Sequence, residues 1–314
     1  MKQRYSFILL LGIFLFAQGC ASSAPPQSFS TPDEGVNAIV AAGRAHSSDQ
    51  LIQILGRDAG QIVSSGDPVA DRNALDGFLQ RYDQKHQLTT ESDGSVTLVV
   101  GDNEWPMPIP LVKDDATGKW HFDAARGRDE IINRRIGRNE LDVIQVCLAI
   151  ADAQSEYAVR DPENVGVPVY AQKFLSDPGR KNGLYWSTSD DQQPSPLGAL
   201  AATASEQGYH RSETGRPQPF HGYYYRMLMA QGSHASGGAR SYIINGKMVG
   251  GFGVVAYPAE YGNSGIMTFI VNYEGVVYQQ DLGKDTAAIA KSMAEFDPGP
   301  DWNKVEQSAL SQQP

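Results

Sequence analysis

The sequence predicts an α+β protein built as two units, and three observations predict it. Helix-start signals stand at Thr31-Pro32 and at Asp67-Pro68. A stretch from Glu130 to about Tyr157 repeats apolar residues at helical spacing. From Gly222 to Gln280 the pattern changes to period-two alternation punctuated by tight-turn residues, the mark of antiparallel strands. The size agrees, since 314 residues, 41% hydrophobic and 20% charged, is about two domains on a ~150-residue scale and can bury real cores.

Residues 1–19 read as a signal peptide. Lys2 and Arg4 make a positive start, and 7–16 is an apolar run. That run is too short to cross a ~30 Å hydrocarbon layer as a helix but suits the apolar part of an export signal. It ends in Phe16-Ala17-Gln18-Gly19-Cys20, which resembles the lipobox of bacterial lipoproteins. The resemblance implies that Gly19 admits the signal peptidase and that the Cys20 thiol is lipidated. Acyl chains worth ~0.8 kcal/mol per buried methylene then anchor the protein. Ala21 and Ser22 differ from the Asp-type retention signal of lipoprotein sorting, so the expected address is the bacterial cell envelope, on the periplasmic face of the outer membrane. Residues 20–30 follow as a lipidated tether, small, polar and proline-containing.

The first folded unit spans 31–128. Thr31-Pro32-Asp33-Glu34 is a capping box with proline in the first helical turn. The helix it opens runs to about Ala45 with Val36, Ile39 and Val40 on one face. A short helix carries Leu51, Ile52 and Leu55 and stops at Gly56. Asp67-Pro68 opens a third, carrying Leu75, Phe78, Leu79 and Tyr82. Strands are then expected over 95–100, 107–112 and 119–123, set off by Asp93-Gly94, Trp105 and Gly118. Helices followed by a curved sheet resemble the cone-shaped nuclear-transport-factor-like fold. That fold implies a pocket, which Trp105, Trp120 and His121 could line; the same residues also read as core and rim aromatics.

The second unit spans 129–302 and opens with the long helix. Leu141, Ile144, Leu148 and Ala151 form one stripe, and Val143, Cys147, Ile150 and Gln154 a neighbouring one, as on a helix laid across a sheet. Arg134, Arg135 and Arg138 near its start oppose the helix dipole. They read either as ion-pair partners of Asp129, Glu130 and Glu140 or as an anion site. Cys147 reads as a buried small hydrophobe. A Gly/Pro-rich stretch (177–193) and a small helix near 197–205 lead to the strands 222–230, 240–244, 247–257, 267–272 and 276–280. Asn245-Gly246 is a hairpin signal between two of them. The expectation is an antiparallel meander of four or five strands with the helix on one face, then a polar tail over 303–314.

Several segments resemble the bacterial envelope proteins grouped as domain of unknown function 2950. They are Asn133-Arg134-Arg135-Ile136-Gly137-Arg138-Asn139-Glu140-Leu141, Gly183-Leu184-Tyr185-Trp186, Ser195-Pro196-Leu197-Gly198, Phe220-His221-Gly222-Tyr223-Tyr224-Tyr225-Arg226 and Met267-Thr268-Phe269-Ile270-Val271-Asn272. The resemblance covers about residues 30–302 and implies an exported, mostly lipidated protein; it supplies no catalytic residues. A weaker resemblance, from Ala153-Gln154-Ser155-Glu156-Tyr157 to Gly275-Val276-Val277-Tyr278, is to the globular part of type IV pilin-like proteins. The transmembrane start and cleavage site of pilins are missing at that helix.

The formal charge is 26 − 36 = −10, which argues against a nucleic-acid partner, because phosphate binding needs clustered Lys and Arg. The six histidines are scattered without metal-ligand spacing. No metal and no cofactor is therefore expected. Residues 238–247 miss the spacing of a phosphate loop, and 262–265 fall one residue short of a nucleophile elbow. The best polar-aromatic constellation is His221, Tyr223, Tyr224, Tyr225 and Arg226. In a strand, Tyr223 and Tyr225 share one face and Tyr224 takes the other, and one tyrosine face beside His221 is expected to be partly exposed as a binding platform. Three functions follow. One is a non-catalytic binding or assembly module, tethered to the membrane by its lipid and engaging an unidentified envelope protein or polymer. The second is an envelope hydrolase using His221. The third is a carrier of an apolar ligand in the N-terminal unit.

Overall fold

A computed structural model describes residues 25–56, 59–189, 192–210 and 217–306; the export signal and Cys20 lie outside them. The protein is α+β. In the N-terminal unit, α1 (Pro32–Arg44), α2 (Ser48–Leu55), α3 (Gly60–Val63) and α4 (Pro68–Gln84) precede five short strands. These are β1 (His86–Thr90), β2 (Val96–Val100), β3 (Trp105–Pro106), β4 (Leu111–Lys113) and β5 (Trp120–Phe122). The sheet runs β1-β2-β4-β5 with β3 against β2, all antiparallel. Its core gathers Val36, Ile39 and Val40 of α1 with Leu98, Leu111 and Phe122 of the sheet.

Both expected caps form. Thr31 Oγ1 accepts the Glu34 amide at 3.2 Å, and Asp67 Oδ1 accepts the Val69 and Ala70 amides at 3.2 and 3.1 Å. Of the strand expected over 107–112, only 111–112 forms, within β4; β3 lies just before it, and Pro106, Pro108 and Pro110 remove the donors a continuous ladder needs. The expected tether also ends early. Gln27 donates to Gln53 O at 3.2 Å, and Phe29 exchanges backbone bonds of 2.8 and 2.9 Å with Trp120.

The helix expected from Glu130 begins six residues sooner, as α5 (Ala124–Arg160), with Asp123 accepting the Arg126 amide. At 37 residues it is about 55 Å long. Gly127 lies inside it because a Cβ there would press on the Pro108 carbonyl. The glycine marks a close approach between helix and sheet. The boundary expected at 128/129 thus falls within one continuous helix, whose first residue, Ala124, belongs to the N-terminal core.

After α6 (Gly198–Glu206) come β6 (Tyr223–Leu228), β7 (Ala230–Gln231), β8 (Arg240–Ser241), β9 (Ile243–Ile244), β10 (Lys247–Met248), β11 (Gly253–Pro258), β12 (Met267–Asn272) and β13 (Val277–Asp281). Then follow α7 (Thr286–Ser292), β14 (Glu295–Phe296) and β15 (Asn303–Lys304). The main sheet is antiparallel in the order β15-β13-β12-β11-β6. Asn245 and Gly246 take φ of 51° and 76°, the turn that joins β9 to β10.

One face of this sheet, with Tyr223, Met227, Val254, Phe269 and Val271, packs on Val143, Cys147 and Ile150 of α5. The opposite face, with Leu228, Val255, Tyr257 and Ile270, packs on Ala290 of α7 and Phe296 of β14. The second face is therefore covered by residues after 285. The Gly/Pro-rich stretch sits with α5, its Leu184 and the neighbouring Ala171 joining that core. The tail begins later than 303, since β15 pairs with β13 and the Val305 amide donates to Val277 O at 2.9 Å.

Candidate functional site

The entry to β6 is where the sequence concentrated its polar and aromatic residues, and it lies at the junction of the two units. His221 and Gly222 take φ of 52° and 75°, a left-handed turn that costs a non-glycine residue free energy and persists only where its surroundings hold it. Asp67 holds this one. Its Oδ2 accepts the Gly222 amide and the Tyr209 hydroxyl, both at 2.9 Å, while Oδ1 caps α4. The Tyr209 oxygen in turn accepts the His221 amide at 3.4 Å. Asp67 is 1% exposed, so every bond it makes is made away from water, where an orphaned partner is costly.

The His221 ring is held as firmly. Its Nδ1 lies 3.2 Å from Asp142 Oδ2 on α5, and the ring packs on Phe220 at 4.1 Å between centroids. A carboxylate on one ring nitrogen orients an imidazole, the arrangement that general-base sites use. Two turns earlier on α5, Arg135 donates to Gln61 O, Ile62 O and Asn263 Oδ1 at 2.8, 2.6 and 2.6 Å. Burial draws its guanidinium below the ordinary value, with Asp71 opposing. Asn263 returns a bond to Ser64 O at 2.9 Å. The junction is a seam of short bonds between α3 and its flanks, α5, and the turn before β12.

Strand alternation divides the expected platform. Tyr223 is fully buried on the α5 side and donates to Met267 O at 3.0 Å. Tyr225, on the same side, donates to Phe220 O at 3.3 Å. Burial pushes both phenols well above the ordinary range. Tyr224 faces the other way against Tyr257, at 5.7 Å between centroids. Arg226 joins it there, donating to the carbonyls of Ala290 and Met293 at the end of α7. Of the five, only Tyr223 is fully buried: His221 and Tyr225 are half-buried on the α5 side, and Tyr224 and Arg226 are half-buried on the α7 side.

The remaining candidates have structural partners. Cys147 is fully buried, and burial pushes its thiol up to about 12, far from a thiolate nucleophile. Arg134 donates to Glu130 at 2.6 Å and Arg135 is spent on carbonyls, so these two arginines divide between an ion pair and the seam. Trp105 and Trp120 pack against the N-terminal core. Arg81 and Arg134 each lie 5.9 Å from the Trp105 ring, Lys113 the same distance from Trp120, and His121 sits in β5 opposite Val112.

Two cavities stand out. One of about 430 Å³ opens beside α5 at the junction, over Ile132, Asn133, Ile136 and Ile266. The other, about 240 Å³, lies near the far end of the same helix among Tyr157, Glu163, Tyr170, Arg180 and Lys247. Among the described residues, no group of three or more His, Cys, Asp or Glu could hold a metal ion, and no helix is long and apolar enough to cross a membrane.

Sequence reasoning missed Asp142, Tyr209 and the second role of Asp67. The cap was visible at Asp67-Pro68, but its other partners lie 142 and 155 residues away, beyond any local signal. No curated protein and no solved structure matches the chain, so neither the cone-shaped nor the pilin-like likeness gains support from them. Residues 26–305, nearly all of the described fold, match the family model described as Protein of unknown function (DUF2950), and the chain belongs to that family.

Proposed function

We propose that the protein is a lipid-anchored component of the bacterial cell envelope whose folded body is a non-catalytic binding or assembly module. It is held through acylated Cys20 on the periplasmic face of the outer membrane and engages an envelope protein or polymer. The observation that carries this reading is the fastening of Gln27 and Phe29 into the N-terminal unit. Only 27 − 20 = 7 residue steps separate that point from Cys20, at most ~25 Å of extended chain. A body on so short a lead works at the membrane surface. The net charge of −10 disfavours nucleic acid there. The junction supports a binding role, because Asp67 and Tyr209 are spent on fixing one unit to the other and the Cys147 thiol is kept protonated.

Replacing Cys20 with Ser tests the anchor. The parent chain is expected to pellet with membranes after a high-salt wash, and the Ser variant to be released with an unchanged melting temperature. A Ser variant that still pellets after the wash overturns the reading.

One observation favours the hydrolase as a second reading: the 3.2 Å approach of Asp142 to His221. A hydrolase predicts that the purified chain cleaves an envelope polymer and that His221→Ala abolishes the cleavage. A module predicts no cleavage for either to change.

A further inference from the structure

Asp142 and Tyr157 stand about 22 Å apart along α5 at 1.5 Å per residue. At the Tyr157 end, the helix, the loop that follows it and the β9–β10 hairpin enclose the cleft of about 240 Å³. We propose that this cleft binds a small amino-carboxylate, its ammonium on Glu163 and its carboxylate on Lys247 and Arg180.

Glu163 is the reason. Its side chain is only 22% exposed, yet its nearest donors stand off: Tyr157 Oη at 3.5 Å, Lys247 Nζ at 3.7 Å and Arg180 Nη2 at 4.0 Å. Every other lysine or arginine ion pair among the described residues closes to 2.9 Å or less. A carboxylate this sheltered ordinarily collects short charge-assisted bonds. Tyr157 does not supply one, because its hydroxyl donates to Lys181 O at 2.7 Å.

The cations are likewise uncommitted. Lys247 and Arg180 straddle the carboxylate from the hairpin and from the loop; Arg180 also lies near Asp177, but neither cation closes a shorter ion pair among the described residues. Lys173, also on the wall, is taken by both oxygens of Asp177 at 2.8 and 2.7 Å. What is left over is one acceptor suited to an ammonium, two donors suited to a carboxylate, and the Tyr170 hydroxyl. An amino acid presents those two charged groups on a single carbon. The wall also carries more positive than negative charge in a chain of net −10, which draws the carboxylate end of a ligand inward.

This inference stands apart from the membrane-anchor reading, since it uses residues remote from Cys20. The test is titration of the purified chain with alanine, acetate and methylammonium, followed by calorimetry. Alanine is expected to bind saturably and to bind roughly tenfold or more tighter than either fragment, each of which lacks one charge-assisted contact. Glu163→Gln separates the two ends of the ligand. It is expected to weaken alanine by about tenfold and to strengthen acetate, because the variant frees both cations. Lys247→Met weakens alanine and acetate together. Melting curves check that the variants fold. Alanine that fails to saturate, that binds no better than acetate, or that ignores Glu163→Gln overturns the assignment.

Discussion

The two stretches of α5 hold ionisable groups under opposite regimes. At the junction, Asp67 and Arg135 tie the two units with bonds of 2.6–2.9 Å, Asp67 buried and Arg135 half-buried. Toward the other end, Glu163 faces its cations at 3.7 and 4.0 Å across an open cleft. Short, buried bonds fix geometry and are costly to break, whereas long pairs at a surface contribute little and leave both partners free for something else. One helix therefore carries a structural seam near its start and a ligand-ready cleft near its finish. Substitutions at the two places should behave differently.

The largest effect is expected at Asp67. Its replacement by Ala removes a helix cap and leaves the Gly222 amide and the Tyr209 hydroxyl without their acceptor in a buried site. The combined loss is about 3–5 kcal/mol, read as a shift in the urea midpoint. A loss under ~1 kcal/mol would show that water replaces the carboxylate and that the seam is looser than its distances indicate.

Cys147, on the α5 face that packs against Tyr223 and Met227, gives the next effect through pH. Its thiol is raised from an ordinary 9.0 to about 12 in the fold. The folded chain therefore keeps the proton where the unfolded chain loses it. Stability from this group is intact below pH 9 and is lost as pH climbs toward 12, at 1.36 kcal/mol per unit, or about 1.4 kcal/mol by pH 10. A Cys147→Ala variant lacks this contribution. The stability gap between it and the parent should narrow by about that amount from pH 7 to pH 10. A gap independent of pH would mean that water reaches the thiol.

How much of this was legible in the sequence depends on the range of the interaction. Thr31-Pro32-Asp33-Glu34, Asp67-Pro68 and Asn245-Gly246 each act within a few residues, and each forms the expected cap or turn. Strand β1 escaped because its side chains are nearly all exposed and show no alternation. The start of α5 escaped because Gly127 resembles a break when it is in fact a point of contact with Pro108. Alternation correctly parted Tyr224 from Tyr223 and Tyr225, yet nothing local shows that α7 covers the Tyr224 side, since only Ala290 of that short helix enters the buried core. Asp142 and Glu163 carried no pattern. Their meaning comes from partners 79 and 84 residues away, His221 and Lys247.

A smaller effect is expected at Asp142. Its pair with His221 sits between the two regimes, at 3.2 Å with side chains 29% and 21% exposed. Asp142→Asn keeps the shape and an acceptor for the ring, so the cost is about 1 kcal/mol or less. A cost above ~3 kcal/mol would place the pair within the seam and make its role that of a clasp.

The smallest effect is expected at Glu163, and it tests the comparison most directly. Its cations are 43% and 64% exposed, so water and salt screen them, and pairs of that kind contribute ~0–1 kcal/mol. Glu163→Gln retains the volume, and Tyr157 keeps its bond to Lys181 O. No buried donor is orphaned, because no donor approaches Glu163 within 3.5 Å. Stability should therefore change by less than ~0.5 kcal/mol, with little difference between low and high salt. The same substitution is expected to weaken alanine about tenfold. That separation of binding from stability is what a ligand site predicts and a structural ion pair does not. A loss of ~2 kcal/mol or more would instead make Glu163 a support for the loop and the hairpin. The two regimes along α5 would then collapse into one.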